Sequence, residues 1–268
     1  MKLLIATAIL ATAVLYLYPL FVVIMTSVGA NIFTRPPELI PSLSEFTFSN
    51  FEKILFRAGF NIWVVNSTIY AAGITAGMIV LSTVTGYVFS KMDFRGRAQL
   101  FWLTLVMMMI PSIVMYLPLY ITLAKLRLLN TYLGVIVPMI GSPFCVFLFK
   151  QSFDSIPKDF EEAALVDGAG RLYVIFRVML PMVRPTLITL TILEFVWNWN
   201  NFSWPLFVAT SPSMWNLALG IWNAGWGYTR DFYLVAAGAV ILLIVPMIIL
   251  FVASESIFKG IVTGGLKR

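Results

Sequence analysis

Hydrophobic and polar positions along this chain fall into long blocks. Charge-free runs cover Leu3–Thr34, Ala58–Ser90, Ala98–Ala124, Leu128–Phe149 and Phe232–Ser254, and between Arg184 and Arg230 Glu194 is the single interior charge. A helix that crosses a bilayer needs about 20 mostly apolar residues. Each run holds one crossing, and the 184–230 stretch holds one followed by a polar connection. The pattern predicts six spans, near 3–28, 62–90, 99–123, 131–149, 184–209 and 232–254. Barrel strands would alternate apolar and polar residues, whereas Val240-Ile241-Leu242-Leu243-Ile244-Val245 does not. The expected fold class is an all-α membrane protein with six transmembrane helices. Its expected divisions are 1–57 (first span and external loop), 58–254 (membrane core) and 255–268 (tail).

Between the fourth and fifth spans lies the one long polar island, 155–181. Asp154 or Ser155 is placed to cap a helix with Pro157 in its first turn, and Asp159, Glu161 and Glu162 sit early, where the helix dipole favours anions. Phe160, Ala163, Ala164 and Asp167 share one face at i, i+3, i+4 and i+7; Gly168 ends the turn. A second short helix carries Leu172, Ile175, Phe176 and Met179 on one side, with Pro181 and Pro185 breaking it. Periodicity alone fits two readings: a knob read by a partner, or an amphipathic loop on the lipid surface.

Composition agrees with the block pattern: 60% hydrophobic and 11% charged residues, against about 25% charged in soluble domains. The net charge of +6 is a topology signal. With both termini inside, the inner side holds Lys2, Lys91, Arg95, Arg97, Lys150, Lys158, Arg171, Arg177, Arg184, Lys259, Lys267 and Arg268. The outer side holds Arg35, Lys53, Arg57, Lys125, Arg127 and Arg230, half as many. The positive-inside rule then puts the island and both termini in the cytoplasm, the basic residues against anionic membrane lipid; nucleic acid is not an expected partner. The first segment is too long for the 7–15-residue core of a signal peptide and is expected to stay as a span. Cys145 lies inside the fourth span and is expected to pack as a small apolar residue. The chain has no histidine, which removes the commonest proton carrier and zinc ligand.

In the external loop, Arg35-Pro36-Pro37 and Ile40-Pro41-Ser42 predict turns, and Ser49 or Asn50 is placed to cap a short helix. Gly73 and Gly77 form a small-residue stripe that lets a neighbour pack closely.

The island's own residues choose between its two readings. Glu162-Ala163-Ala164, three residues, Gly168, nine residues, then Val178-Met179-Leu180-Pro181 resembles the EAA motif of binding-protein-dependent ABC importers, with Val178 in place of the usual Ile. Asn130-Thr131-Tyr132-Leu133-Gly134, Trp197-Asn198, Trp204-Pro205-Leu206 and the tail from Phe258 to Lys267 are similar to the smaller, six-span permease of maltose-type carbohydrate importers. That resemblance implies a second homologous permease, two ATPase subunits inside and a solute-binding protein outside. It implies that Glu161, Glu162, Ala163, Ala164, Asp167, Gly168 and Pro181 couple to an ATPase, and that the tail (Gly260, Gly264, Gly265, Lys267) reaches between the ATPases. It also implies that this chain binds no cofactor, ATP and Mg being held by the partners. The chain itself has no G-x-x-x-x-G-K-[S/T] phosphate loop and is not expected to be an enzyme.

In the fifth span Glu194, Trp197, Asn198 and Asn201 share one helical face and are the candidate lining of a translocation pathway. A carboxylate inside a span costs about 2.5–3.5 kcal/mol and is expected to face a cavity or a partner. Amides can bond sugar hydroxyls, and an indole can stack on a sugar ring; the alternative is that these groups bond within the bundle or to the other permease. The function expected is carbohydrate import across the inner membrane by alternating access, with a polyol or a sugar phosphate such as glycerol phosphate as alternative cargo. An ion-coupled secondary transporter would need charges in several spans, and a hydrolase would need a nucleophile with its base.

Overall fold

The computed structural model describes residues 2–29, 39–42, 44–57, 59–226 and 231–265, with side chains described from 4 to 253. Every regular element among them is helical. In order they are α1 (Lys2–Ser27), α2 (Ser49–Leu55), α3 (Phe60–Lys91), α4 (Arg97–Met107), α5 (Ser112–Lys125) and α6 (Tyr132–Ile136). There follow α7 (Pro143–Asp154), α8 (Asp159–Val166), α9 (Arg171–Tyr173), α10 (Leu180–Met182), α11 (Arg184–Trp199), α12 (Ser203–Val208), α13 (Leu217–Trp226) and α14 (Phe232–Gly265). Short 3₁₀ turns at Val137–Met139 and Pro212–Met214 and a π segment at Val174–Met179 join some of them.

Three helices, α1, α3 and α14, are long and apolar enough to cross a membrane alone, and three bent pairs bring the number to six. The bends are where sequence and structure part. The span expected at 99–123 is two helices, α4 and α5, set at 99° to each other. Pro111 lacks an N–H and pushes Ile110 out of helical conformation, so the chain cannot run straight through. The fourth span is bent by 46° between Met139 and Pro143. The helix expected to stop at Pro181 runs to Met182 through the wider π turns, and the break of 89° falls at Val183. The fifth span ends at Trp199, short of the expected 209, and the chain restarts as α12.

α3 is the central post, packed against α7 and α11 along its length. Gly73 and Gly77 serve as the stripe predicted: a Cβ would stand 3.0 Å from Ile136 Cδ1 at Gly73 and 2.6 Å from Ile140 Cγ2 at Gly77. Three apolar cores surround α3. One, at the end that carries α8, is built from Tyr87, Phe149, Phe153, Ile156, Val174 and Met179. Another, at the far end, gathers Tyr70, Ile74, Val135, Trp204 and Val208. The third packs Ile54, Trp63, Trp199 and Leu217 against α14. By contrast α1 buries none of its most apolar stretch and packs mainly on α14.

α2 forms where it was expected but not with the expected cap. Neither Ser49 nor Asn50 caps it: Thr47 Oγ1 accepts from Ser49 N, and Asn50 donates to Ser27 O, each at 3.1 Å, the latter pinning α2 to the end of α1. The turns expected around Arg35 lie outside the described residues.

Candidate functional site: the α8 knob and the α11 cleft

The turn into α8 is not capped by Asp154 or Ser155 either. Ser155 ends α7 and donates to Ser152 O, while Asp154 accepts from Ser90 Oγ at 2.7 Å and from Lys150 Nζ at 2.5 Å. Both groups were already engaged, and Pro157 moves the helix start to Asp159. In place of a side-chain cap, Lys158 O accepts from the backbone N–H groups of Glu161 and Glu162. Asp159, Glu161 and Glu162 fill the first turn as predicted.

The C-terminal end of α8 is a Schellman turn. Gly168 N donates to Leu165 O, and Ala169 N donates to Ala164 O at 3.0 Å. Gly168 adopts φ +85, a left-handed conformation that a β-branched residue adopts only under strain, although a Cβ there would meet nothing within 4 Å. The knob therefore owes its shape to backbone conformation and is not crowded by its surroundings.

Two adjacent glutamates point opposite ways. Glu161 is buried, and its carboxylate accepts the Tyr87 hydroxyl at 2.5 Å. Glu162 is exposed, as are Ala163 and Asp167, while Ala164 is half-buried. Around them Phe160 (50% exposed), Val166 (86%), Leu172 (66%) and Tyr173 (59%) stand clear of the bundle. An exposed surface that mixes large apolar side chains with acids is suited to a protein partner. Pro181 is exposed at the base of the knob. The tail residues Gly260, Gly264, Gly265 and Lys267 lie outside the region of described side chains.

The four residues of the fifth span divide. A cleft of about 700 Å³ between α5 and α11 is lined by Trp197 and Asn201 together with Tyr116, Asn200, Phe202 and Ser203. Trp197 is 75% exposed and offers its indole to this space. Glu194 and Asn198 sit on another face. Asn198 is buried, donating to Glu194 O at 2.8 Å, and Glu194 Oε1 accepts from Cys145 Sγ at 3.0 Å. Cys145 is buried as expected but is also a hydrogen-bond donor, a role that its sequence context did not signal. Among the described residues there is no group of three or more His, Cys, Asp or Glu side chains able to hold a metal ion.

Sequence reasoning missed a further set of polar groups on α3. At the far end Asn66 donates to Ser213 O and Trp215 O, both at 2.9 Å, and accepts from the Tyr132 hydroxyl at 2.7 Å. Tyr70 donates to Met214 O, and Ser67 Oγ accepts from Leu217 N, each at 2.8 Å. The available signal was the presence of amide and hydroxyl groups in an otherwise apolar helix.

A long unbroken post, bent spans and a short acidic helix projecting between them define an all-helical, multi-span membrane protein. The chain belongs to the family of binding-protein-dependent transport system inner membrane components, whose pattern it matches over residues 73–262. It is 37% identical over 231 residues to an arabinooligosaccharides transport system permease protein of Halalkalibacterium halodurans, covering 85% of this chain and 82% of that one. It is 29% identical over 259 residues to the sn-glycerol-3-phosphate transport system permease protein of Yersinia pestis, covering 92% and 91%. Its fold matches, with TM-score 0.80 over 96% of both chains at 22% identity, a bacterial ABC transporter involved in the import of the acidic polysaccharide alginate.

Proposed function

We propose that this chain forms half of the membrane pathway of an ATP-driven carbohydrate importer. A second homologous permease forms the other half, two ATPase subunits bind on the cytoplasmic side, and a solute-binding protein delivers cargo from outside. ATP and Mg belong to the ATPases. The exposed face of α8 carries this reading: Glu162, Phe160, Val166 and Asp167 present acid and apolar surface to a partner while Glu161 holds the helix to the bundle. ATPase closure pushes α8, and the spans swing the pathway between inward-open and outward-open.

The α11 cleft favours carbohydrate over a phosphorylated cargo. Its lining sets aromatic, amide and hydroxyl groups among aliphatic side chains such as Ile113, Leu193 and Val196, with no lysine or arginine to neutralise a phosphate. Tyr116 and Trp197 offer ring faces, and Asn200, Asn201 and Ser203 offer hydrogen-bonding groups.

Cysteine labelling tests orientation and partner together. A cysteine at Ser42 reacts with an impermeant maleimide added to intact spheroplasts, and one at Gly170 does not. In inverted vesicles the Gly170 position reacts, and added ATPase subunits slow it. Labelling of Gly170→Cys from outside, or no protection by the ATPases, overturns the proposal.

A further inference from the structure

α3 is the one long span among the described residues with neither a bend nor an internal proline. α1 contains Pro19, α14 contains Pro246, and each remaining pair is bent by 46° or more. A continuous helix without such a break resists kinking. Polar bonds clamp both of its ends to other parts of the chain. At the α8 end, three residues in just over one turn reach three points between the last residue of α7 and the first turn of α8. Tyr87 donates to Glu161, Ser90 donates to Asp154 at 2.7 Å, and Lys91 Nζ donates to Ile156 O at 2.5 Å. These groups are buried on α3, where an unmade bond costs about 1–3 kcal/mol, more for the charged Lys91, so the clamp is not easily surrendered to water. At the far end Asn66, Ser67 and Tyr70 hold the backbone of 213–217. From Asn66 to Tyr87 the helix axis covers about 32 Å at 1.5 Å per residue.

We infer that α3 is a connecting rod: displacement of α8 is carried through the Tyr87–Glu161 joint along α3 to the segment 213–217 at the opposite face of the membrane. The inference rests on reading the chain as an ATP-driven permease. It changes the role that the motif alone assigns to Glu161. Glu162 meets the partner; Glu161 and Tyr87 are positioning residues that deliver the partner's push to α3. Glu161 is reached only because α8 folds back on α3, since 74 residues separate it from Tyr87. The ring of Tyr87 also packs edge-on against Phe153 at 6.2 Å, so Tyr87→Phe removes the hydroxyl and keeps the packing.

The experiment uses the complete complex, with both permeases, the ATPases and the binding protein, in lipid nanodiscs. A cysteine at the exposed Ser213 is labelled with a maleimide, with and without Mg-ATP plus vanadate. The rod requires that nucleotide change the labelling rate in the otherwise wild-type complex. In Tyr87→Phe that change shrinks at least fivefold, while complex yield and basal ATP hydrolysis stay unchanged. Glu161→Gln, whose amide oxygen still accepts from Tyr87, retains the change; Glu161→Leu loses it. A full labelling change in Tyr87→Phe overturns the rod. So does failure of Tyr87→Phe to assemble, which would make the bond a fold contact only. No labelling change in a complex that hydrolyses ATP in response to its binding protein also refutes it, whereas absence of any ATP hydrolysis refutes the importer reading instead.

Discussion

α3 and the α4–α5 pair are both long, apolar and free of interior charge, yet one runs unbroken for 32 residues and the other folds through 99°. Hydropathy treats them alike. The difference is local chemistry: α3 has no proline, while Pro111 interrupts the pair and Pro118 sits inside α5. α3 also makes side-chain hydrogen bonds at both ends, and its neighbours close on its glycines. The α4–α5 pair exposes Trp102, Met109 and Leu117 and borders the cleft that also takes in Trp197. A membrane domain that must move while staying folded benefits from this division, with one unbroken element at its centre and another already bent beside the α11 cleft.

The comparison breaks hardest if α3 is given a kink of its own. Ala76→Pro places a proline in mid-helix at an exposed position, removing a backbone bond and costing about 3 kcal/mol or more. Little or no assembled complex is expected on size-exclusion chromatography; normal yield and transport would show that α3 need not be straight. The reverse change tests the bend. Pro111→Ala restores an N–H at the break and should stiffen the α4–α5 pair without preventing assembly. Transport turnover is expected to fall about tenfold, a barrier increase of roughly 1.4 kcal/mol, with basal ATP hydrolysis maintained. Unchanged turnover would remove any mechanical role for the bend.

The smallest effects separate the two faces of α11. Trp197→Ala, on the cleft side, should raise the apparent KM for transport about fivefold, or roughly 1 kcal/mol of lost binding. Glu194→Gln, on the side facing α7, preserves an acceptor for Cys145 and should change transport less than about twofold, because a hydrogen bond whose two partners remain is not lost. An equal or larger effect at Glu194 would return it to the pathway.

Much of this organisation was legible in the sequence. The runs gave the first and second spans, found at Lys2–Ser27 and Phe60–Lys91 against 3–28 and 62–90 expected, because a bilayer demands uninterrupted apolar length. The motif spacing located α8 and its terminal glycine. Three features were not legible. Helical periodicity could not decide whether Glu161 or Glu162 turned inward, since neighbouring residues on a helix differ by 100° and both faces carried plausible chemistry. The expected caps failed because Asp154 and Asn50 had partners distant in sequence, Ser90 and Ser27. The division of the α11 residues depended on which side α5 and α7 occupy, information held by the packing of elements well away in the chain.

The outlying position of α1 has a consequence for how the protein is made. Its principal neighbour α14 begins at Phe232, roughly 200 residues later, a delay of about 10–40 s at ordinary synthesis rates. Through that interval α1 resides in the bilayer without its eventual mate. Its side chains must suit lipid on every side from the outset, and its surface is apolar all round. Anchorage during biogenesis is thus separable from the moving machinery, and α1 should accept broad exchange among apolar residues while α3 does not.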